Sequence, residues 1–212
     1  MTRRLFARCL LLLMAAFAAP AVHAAAAALA PDALVRNVSD EVLKIVRSDK
    51  AIQFGDTRKV LALVDEKVLP HFDFRRMTML AVGKDWRSAT PEQQNRMTTA
   101  FRTLLVRTYS NALTKYHDQT INLKPLRANP GDKQVSVKTE ITQPGAQPVS
   151  IDYSLEKTDQ GWKVFDVIVM GVSLVTTYRG NFSDEIQNNG IAGLIASIEA
   201  KNKSLEAAQG GK

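Results

Sequence analysis

The sequence predicts an α+β protein in which helices, an antiparallel sheet and further helices follow one another along the chain. Two changes of period carry that expectation: apolar residues recur at helical spacing to about residue 116, alternate strictly between about 120 and 170, and then return to helical spacing. The alternating runs are joined by three short links, Gly131-Asp132-Lys133, Pro144–Pro148 and Thr158–Gly161, and links this short make successive strands antiparallel.

The first helix is expected over 31–48, where Leu34, Val38, Val42 and Ile45/Val46 form one stripe. A second is expected over 56–69, with Asp56 as its N-cap and Pro70 ending it. A third covers 74–82, capped by Asp73 and stopped at Gly83. In Thr90-Pro91-Glu92-Gln93, the threonine is a cap, the proline takes the first helical position and the glutamine completes a capping box. The helix begun there runs to about Tyr116, with a wide stripe through Met97, Phe101, Leu104/Leu105, Thr108/Tyr109, Ala112/Leu113 and Tyr116.

Strands follow over 120–126, over 134–142 with Val135, Val137 and Ile141 in phase, over 148–155 with Val149, Ile151, Tyr153 and Leu155 in phase, and over 162–170. Helices return over 172–190 and 191–206, and residues 207–212 read as a frayed polar tail. No linker divides this region, so residues 25–206 are expected to be one domain.

The first 24 residues have the form of a signal peptide: a basic start, the apolar run Cys9–Phe17 and the segment Ala19–Ala24, with Val22 and Ala24 as the residues recognised before the cut. Cleavage after Ala24 removes Cys9, the single cysteine, and leaves an exported protein without disulfides, which points to the periplasm. Losing Arg3, Arg4 and Arg8 leaves 25 basic against 21 acidic residues, +4 in place of +7, too little to argue for nucleic acid. The remaining chain offers no apolar run long enough to span a bilayer. The most apolar one, Val164–Val175, is interrupted by Asp166.

Little in the sequence suggests catalysis. His71 and His117 stand at helix ends without companions at metal-ligand spacing, and there is no phosphate-binding glycine loop and no nucleophile motif. Asp65/Glu66 and Asp184/Glu185 are sequence neighbours that diverge on a helix and read as solvated. Arg75, Arg76, Lys84 and Arg87 suit phosphate headgroups or an acidic partner, but read more simply as a solvated helix and loop. The strand over 162–170 is apolar on both faces: alternation puts Val164, Asp166 and Ile168 on one and Phe165, Val167 and Val169 on the other. Asp166 is therefore expected near an edge or paired, because an isolated buried charge is costly.

Two long motifs add a family resemblance. The segment Val68–Tyr109, through Pro70, Asp73-Phe74, Met77, Gly83, Trp86, Ala89 to Gln93, Phe101, Leu104-Leu105 and Tyr109, resembles the MlaC family, also called the toluene-tolerance (Ttg2) family, of periplasmic phospholipid-binding proteins. Gly161-Trp162, Val164, Asp166-Val167, Gly171 to Leu174, Tyr178-Arg179, Phe182, Gly190 and Leu194-Ile195 match it too.

The resemblance implies a curved antiparallel sheet of about four strands, like the cone of nuclear-transport-factor-like proteins, packed with helices around an apolar cavity. It implies a monomeric carrier, without cofactor, metal or catalysis, that moves phospholipid between an outer-membrane lipoprotein–porin complex (MlaA-like) and an inner-membrane ABC transporter (with an MlaD-like component), maintaining outer-membrane lipid asymmetry. The candidate lining is Leu80, Phe101, Leu105 and Tyr109 from helices and Val137, Ile151, Tyr153, Val167 and Val169 from the sheet, with Val172 and Leu174 in a bend and Tyr178 and Arg179 near the mouth. Two alternatives remain at this point: a similar module holding a quinone, a sterol-like molecule or a hydrophobic peptide, and an enzyme whose internal acid is Asp166.

Overall fold

The computed structural model describes residues 29–115 and 118–210. The expected signal peptide, its cleavage site, Tyr116 and His117 lie outside them. Six α-helices and a curved five-stranded sheet make up the described fold.

Helix α1 spans Pro31–Ser48 as expected, with Pro31 opening it. A short α2, Lys50–Gln53, follows directly, and its N-cap is Asp49, whose carboxylate accepts from the N–H groups of Ala51 and Ile52. Helix α3, Thr57–Lys67, starts at Asp56, which accepts from Arg58 and Lys59. In α4, Phe74–Val82, Asp73 accepts from the N–H of Arg76, and Gly83 ends the helix at φ 70°, a conformation open to glycine. The capping box of Thr90 and Gln93 is formed and starts α5, Pro91–Tyr109. The α-helix ends seven residues before the expected Tyr116: Ser110 and Asn111, weak helix formers, begin a tighter 3-10 stretch over Ser110–Lys115.

The strands are β1 (Thr120–Leu123), β2 (Gln134–Thr142), β3 (Val149–Thr158), β4 (Gly161–Val169) and β5 (Val172–Ser173). They pair in chain order, each antiparallel to the next. The fifth, read from sequence as the start of a helix, consists of two residues. Ser173 ends it and also caps the helix that follows, accepting from the N–H of Thr176 at 3.0 Å. That helix, α6, runs Leu174–Gly210 and breaks at Gly190 (φ 70°), the boundary between the two expected helices. It continues past Glu206: Gln209 donates to the carbonyl of Arg107 at 2.9 Å.

The alternation expected in β4 is corrected by its register. Leu155 pairs with Val164 and Ser154 with Asp166, so Phe165 is the extra residue of a β-bulge. The bulge reverses the phase. Val164 and Val167 share one face, packing with Leu34, Val35, Val137 and Leu155, while Phe165 joins the helices α4, α5 and α6. Asp166 does not share a face with Val164. Its Oδ2 accepts from the Ser173 hydroxyl at 2.6 Å, and its Oδ1 from the N–H groups of Val167 at 2.9 Å and Val175 at 3.2 Å.

Three buried clusters result. One joins α4, α5 and α6 around Phe101, Met77, Met97 and Leu194; one holds the first half of α1 against β2, β3 and β4; one binds the second half of α1 to α2 and α3 through Val42, Val46, Ile52 and Val60. Because Asp166 ties β4 to the start of α6, Asp166→Ala should lower unfolding free energy by about 1–3 kcal/mol, with Asp166→Asn costing less. Urea denaturation checks this, and an unchanged midpoint for Asp166→Ala would contradict it.

Candidate functional site

Pairing across β2, β3 and β4 lines up the expected sheet residues in two rows: Val137, Tyr153 and Val167 in one, Thr139, Ile151 and Val169 in the next. All five predicted sheet residues therefore share one face. On β2 that face is covered, with Val137 1% and Thr139 2% exposed, and toward the β3–β4 turn Leu155 and Val164 are sealed beneath Leu34 and Val35. Across β3 and β4 the cover thins, and Ile151, Tyr153, Val167 and Val169 stay half-buried.

The open end of this face has an apolar rim. Val149, Met170 and Val172 are 36%, 61% and 60% exposed. Met170 and Gly171 form the two-residue turn between β4 and β5, both at positive φ (51° and 81°), where a primed hairpin turn ordinarily takes Asn or Gly. A methionine there accepts backbone strain and presents an apolar side chain to the surface. The candidate lining left out Met170 and Val149, although Val149 is in phase with Ile151 and Tyr153; a Met-Gly pair between two apolar strands was the available signal for Met170.

The predicted helix residues gather separately. Leu80, Phe101, Leu105 and Tyr178 belong to the α4–α5–α6 cluster, where Phe101 is fully buried with the rings of Tyr178 and Phe182 edge-on at 5.0 and 5.1 Å. Leu80 and Tyr178 are half-buried and Leu105 is buried. Tyr109, at the end of α5, is 42% exposed and neighbours Tyr178. Burial first, and then the neighbouring Tyr109, push the Tyr178 phenol up to about 12. Phe72 packs against both the helix cluster and the sheet cluster. Leu174 is half-buried beside β5.

Three of the charged candidates, Arg75, Arg76 and Arg179, have partners within the protein. Arg76 pairs with Glu156 at 2.6 Å with its guanidinium 4.4 Å from the centre of the Phe165 ring, and Arg75 lies over Trp86 and donates to Gln94 at 2.7 Å. Arg179 donates to the carbonyl of Leu80 near the end of α4 at 3.0 Å. Lys84 and Arg87 remain exposed. Burial and the nearby Lys163 push the His71 imidazole down, favouring its neutral form. Among the described residues no three histidine, cysteine or acidic side chains gather as metal ligands. Two surface recesses, of about 440 Å³ along α1 and about 710 Å³ between α5 and α6, are lined by none of the predicted apolar residues.

A family model described as "MlaC protein" matches residues 36–200. The chain belongs to the MlaC family. A relative in Pseudomonas putida, the toluene tolerance protein ttg2D, is 31% identical over 184 residues, covering 86% of this chain and 83% of the relative. The intermembrane phospholipid transport system binding protein MlaC of Haemophilus influenzae is 22% identical over 172 residues, 80% of each chain. Among solved structures, a phospholipid-binding protein from Ralstonia solanacearum, determined in complex with a phospholipid, is 39% identical and superposes with a TM-score of 0.78 over 82% of this chain and 98% of that one.

The tyrosine pair in this MlaC-family chain gives a pH signature. A folded-state value near 12 against an ordinary 10.0 means the unfolded state releases its proton first, so this contribution to stability is present below about pH 10 and is lost as pH rises toward 12. Tyr178→Phe should flatten that part of the alkaline fall in stability. Denaturant midpoints of both proteins across the range check it, and identical slopes would contradict it.

Proposed function

We propose that this protein binds a phospholipid with its acyl chains against the β3–β4 face and carries it through the periplasm. The observation behind this reading is the run of half-buried apolar side chains at Ile151, Tyr153, Val167 and Val169, rimmed by exposed Met170 and Val172. A face needed only for packing would be sealed, as its other end is under Leu34 and Val35. The relative from Ralstonia solanacearum, of the same fold and 39% identical, binds phospholipid, which supports the same cargo here.

The physics explains why a carrier is needed. Two chains of about sixteen carbons, at about 0.8 kcal/mol per CH₂, cost on the order of 25 kcal/mol to expose to water. A dry apolar wall avoids that cost without any catalytic group. Asp166, the internal acid an enzyme would need, spends both oxygens on Ser173, Val167 and Val175, which supports a structural role.

In the full reading, residues 1–24 direct export and are removed, and residues 25–206 act as a monomeric carrier. Leu80, Leu105, Tyr109, Leu174 and Tyr178 complete the lining from the helix side, with Phe101 and Val137 backing it. The carrier exchanges lipid with an MlaA-like outer-membrane complex and an MlaD-like component of an inner-membrane transporter, which maintains lipid asymmetry.

The test is native mass spectrometry of protein purified from bacteria without detergent, with extraction and identification of the cargo. Wild-type protein should carry phospholipid, and a quinone or peptide would replace this reading. Val167→Asp and Val169→Asp should each cut bound phospholipid roughly tenfold or more, since a carboxylate against acyl chain is left unpaired. Unaltered lipid content in folded Val167→Asp and Val169→Asp proteins would contradict the wall as placed.

A further inference from the structure

At 88%, Phe54 is the most exposed large apolar side chain among the described residues. Its exposure is imposed by the backbone. The turn after α2 is fixed by the N–H of Phe54 donating to Lys50 at 2.9 Å, that of Gly55 to Ile52 at 3.0 Å and that of Asp56 to Ala51 at 2.9 Å. Gln53 anchors the turn to the end of α1, donating to the carbonyls of Val46 at 3.0 Å and Arg47 at 2.8 Å.

The surrounding charge is mostly positive. Lys44, Arg47, Lys50, Arg58 and Lys59 are all exposed, while the two acids of the same segment, Asp49 and Asp56, are half-buried and taken up as helix caps, Asp49 also holding Lys59 at 2.7 Å. The segment 44–59 thus carries three net positive charges. Lys44 and Arg47 also line the shallow recess along α1, where the exposed Asp40 is the one acid beside them.

This corner lies at the open end of the sheet. Arg47 donates to the carbonyl of Gln119, just before β1, at 2.5 Å, and Gln119 donates to Gln143, just after β2, at 2.9 Å. That is the end where Ile141 pairs with the exposed Val149 and where Met170 donates its N–H to Ser150.

We propose that the Phe54 corner is a membrane anchor: the ring enters the headgroup region of an anionic phospholipid bilayer while Lys44, Lys50 and Arg58 face the lipid phosphates. A lone projecting ring among exposed cations suits a soft, negatively charged interface. A protein partner would call for a wider apolar core, and no second large apolar side chain between residues 44 and 59 is exposed. The anchor is separate from the cargo wall, and it would bring the open end of the sheet toward the bilayer.

The experiment is flotation of the chain from Ala25 onward with vesicles of neutral phosphatidylcholine and with vesicles containing phosphatidylglycerol. Binding should appear with the anionic vesicles and be released by salt. Phe54→Ser should weaken it about tenfold, and Lys50→Gln and Arg58→Gln roughly fivefold each. Phe54→Trp should keep binding and shift its emission to the blue with anionic vesicles only. Extracted cargo in Phe54→Ser separates this result from the fate of the lipid-wall reading, because that variant leaves the wall intact. Wild-type protein that stays unbound with anionic vesicles at low salt, or that binds equally well as Phe54→Ser, overturns the anchor; in the first case an acidic protein surface becomes the alternative partner.

Discussion

Phe165 is one residue more than β4 needs to match β3, and much of the arrangement depends on where that residue goes. Bulging it out sends its ring into the helix cluster, under the guanidinium of Arg76, while Val164 and Val167 keep facing α1. The following Asp166 then reaches the turn beyond β4 and holds Ser173 and the first turn of α6. One register shift therefore joins the sheet to the helix layer and sets which valines face the apolar wall.

The wall is balanced between two demands. A fully packed sheet face would leave nothing for a lipid to touch, and a fully open one would invite association between copies. Here α1 covers β2 and the end nearest the β3–β4 turn, while β3 and β4 keep a half-buried apolar strip that ends at Met170 and Val172. The polar groups nearby are spent inside the protein: Arg76 on Glu156, Arg179 on the carbonyl of Leu80. On the proposed reading, such a surface would recognise shape and apolarity more than headgroup chemistry, which would suit a cargo that is released as well as held.

Much of the fold was legible because its signals are local. Asp56, Asp73 and Thr90 cap the helices they were expected to cap, and Gly190 divides α6 where a boundary was expected. The phase of β2 and β3 followed from simple alternation, since both strands pair regularly there. The bulge was not legible: an extra residue shows only against a partner strand, so a period-two count placed Phe165 with Val167. The two-residue β5 and the 3-10 end of α5 were missed for a related reason, being fixed by Ser173 serving two elements and by a gradual tightening of the helix. Of the candidate site, the sheet residues came together in two rows, whereas Phe101 proved to be sealed among aromatic rings, a distinction that composition does not carry.

The central claim is that the half-buried strip on β3 and β4 is the surface that touches acyl chains. Its most direct test is photolabelling with a phospholipid bearing a photoreactive group on one acyl chain, followed by peptide mapping of the adducts. The account predicts adducts on Ile151, Tyr153, Val167, Val169 and the adjoining Met170. Adducts confined to the outer faces of α1 or α6, or none at all in protein that carries the lipid, would contradict it.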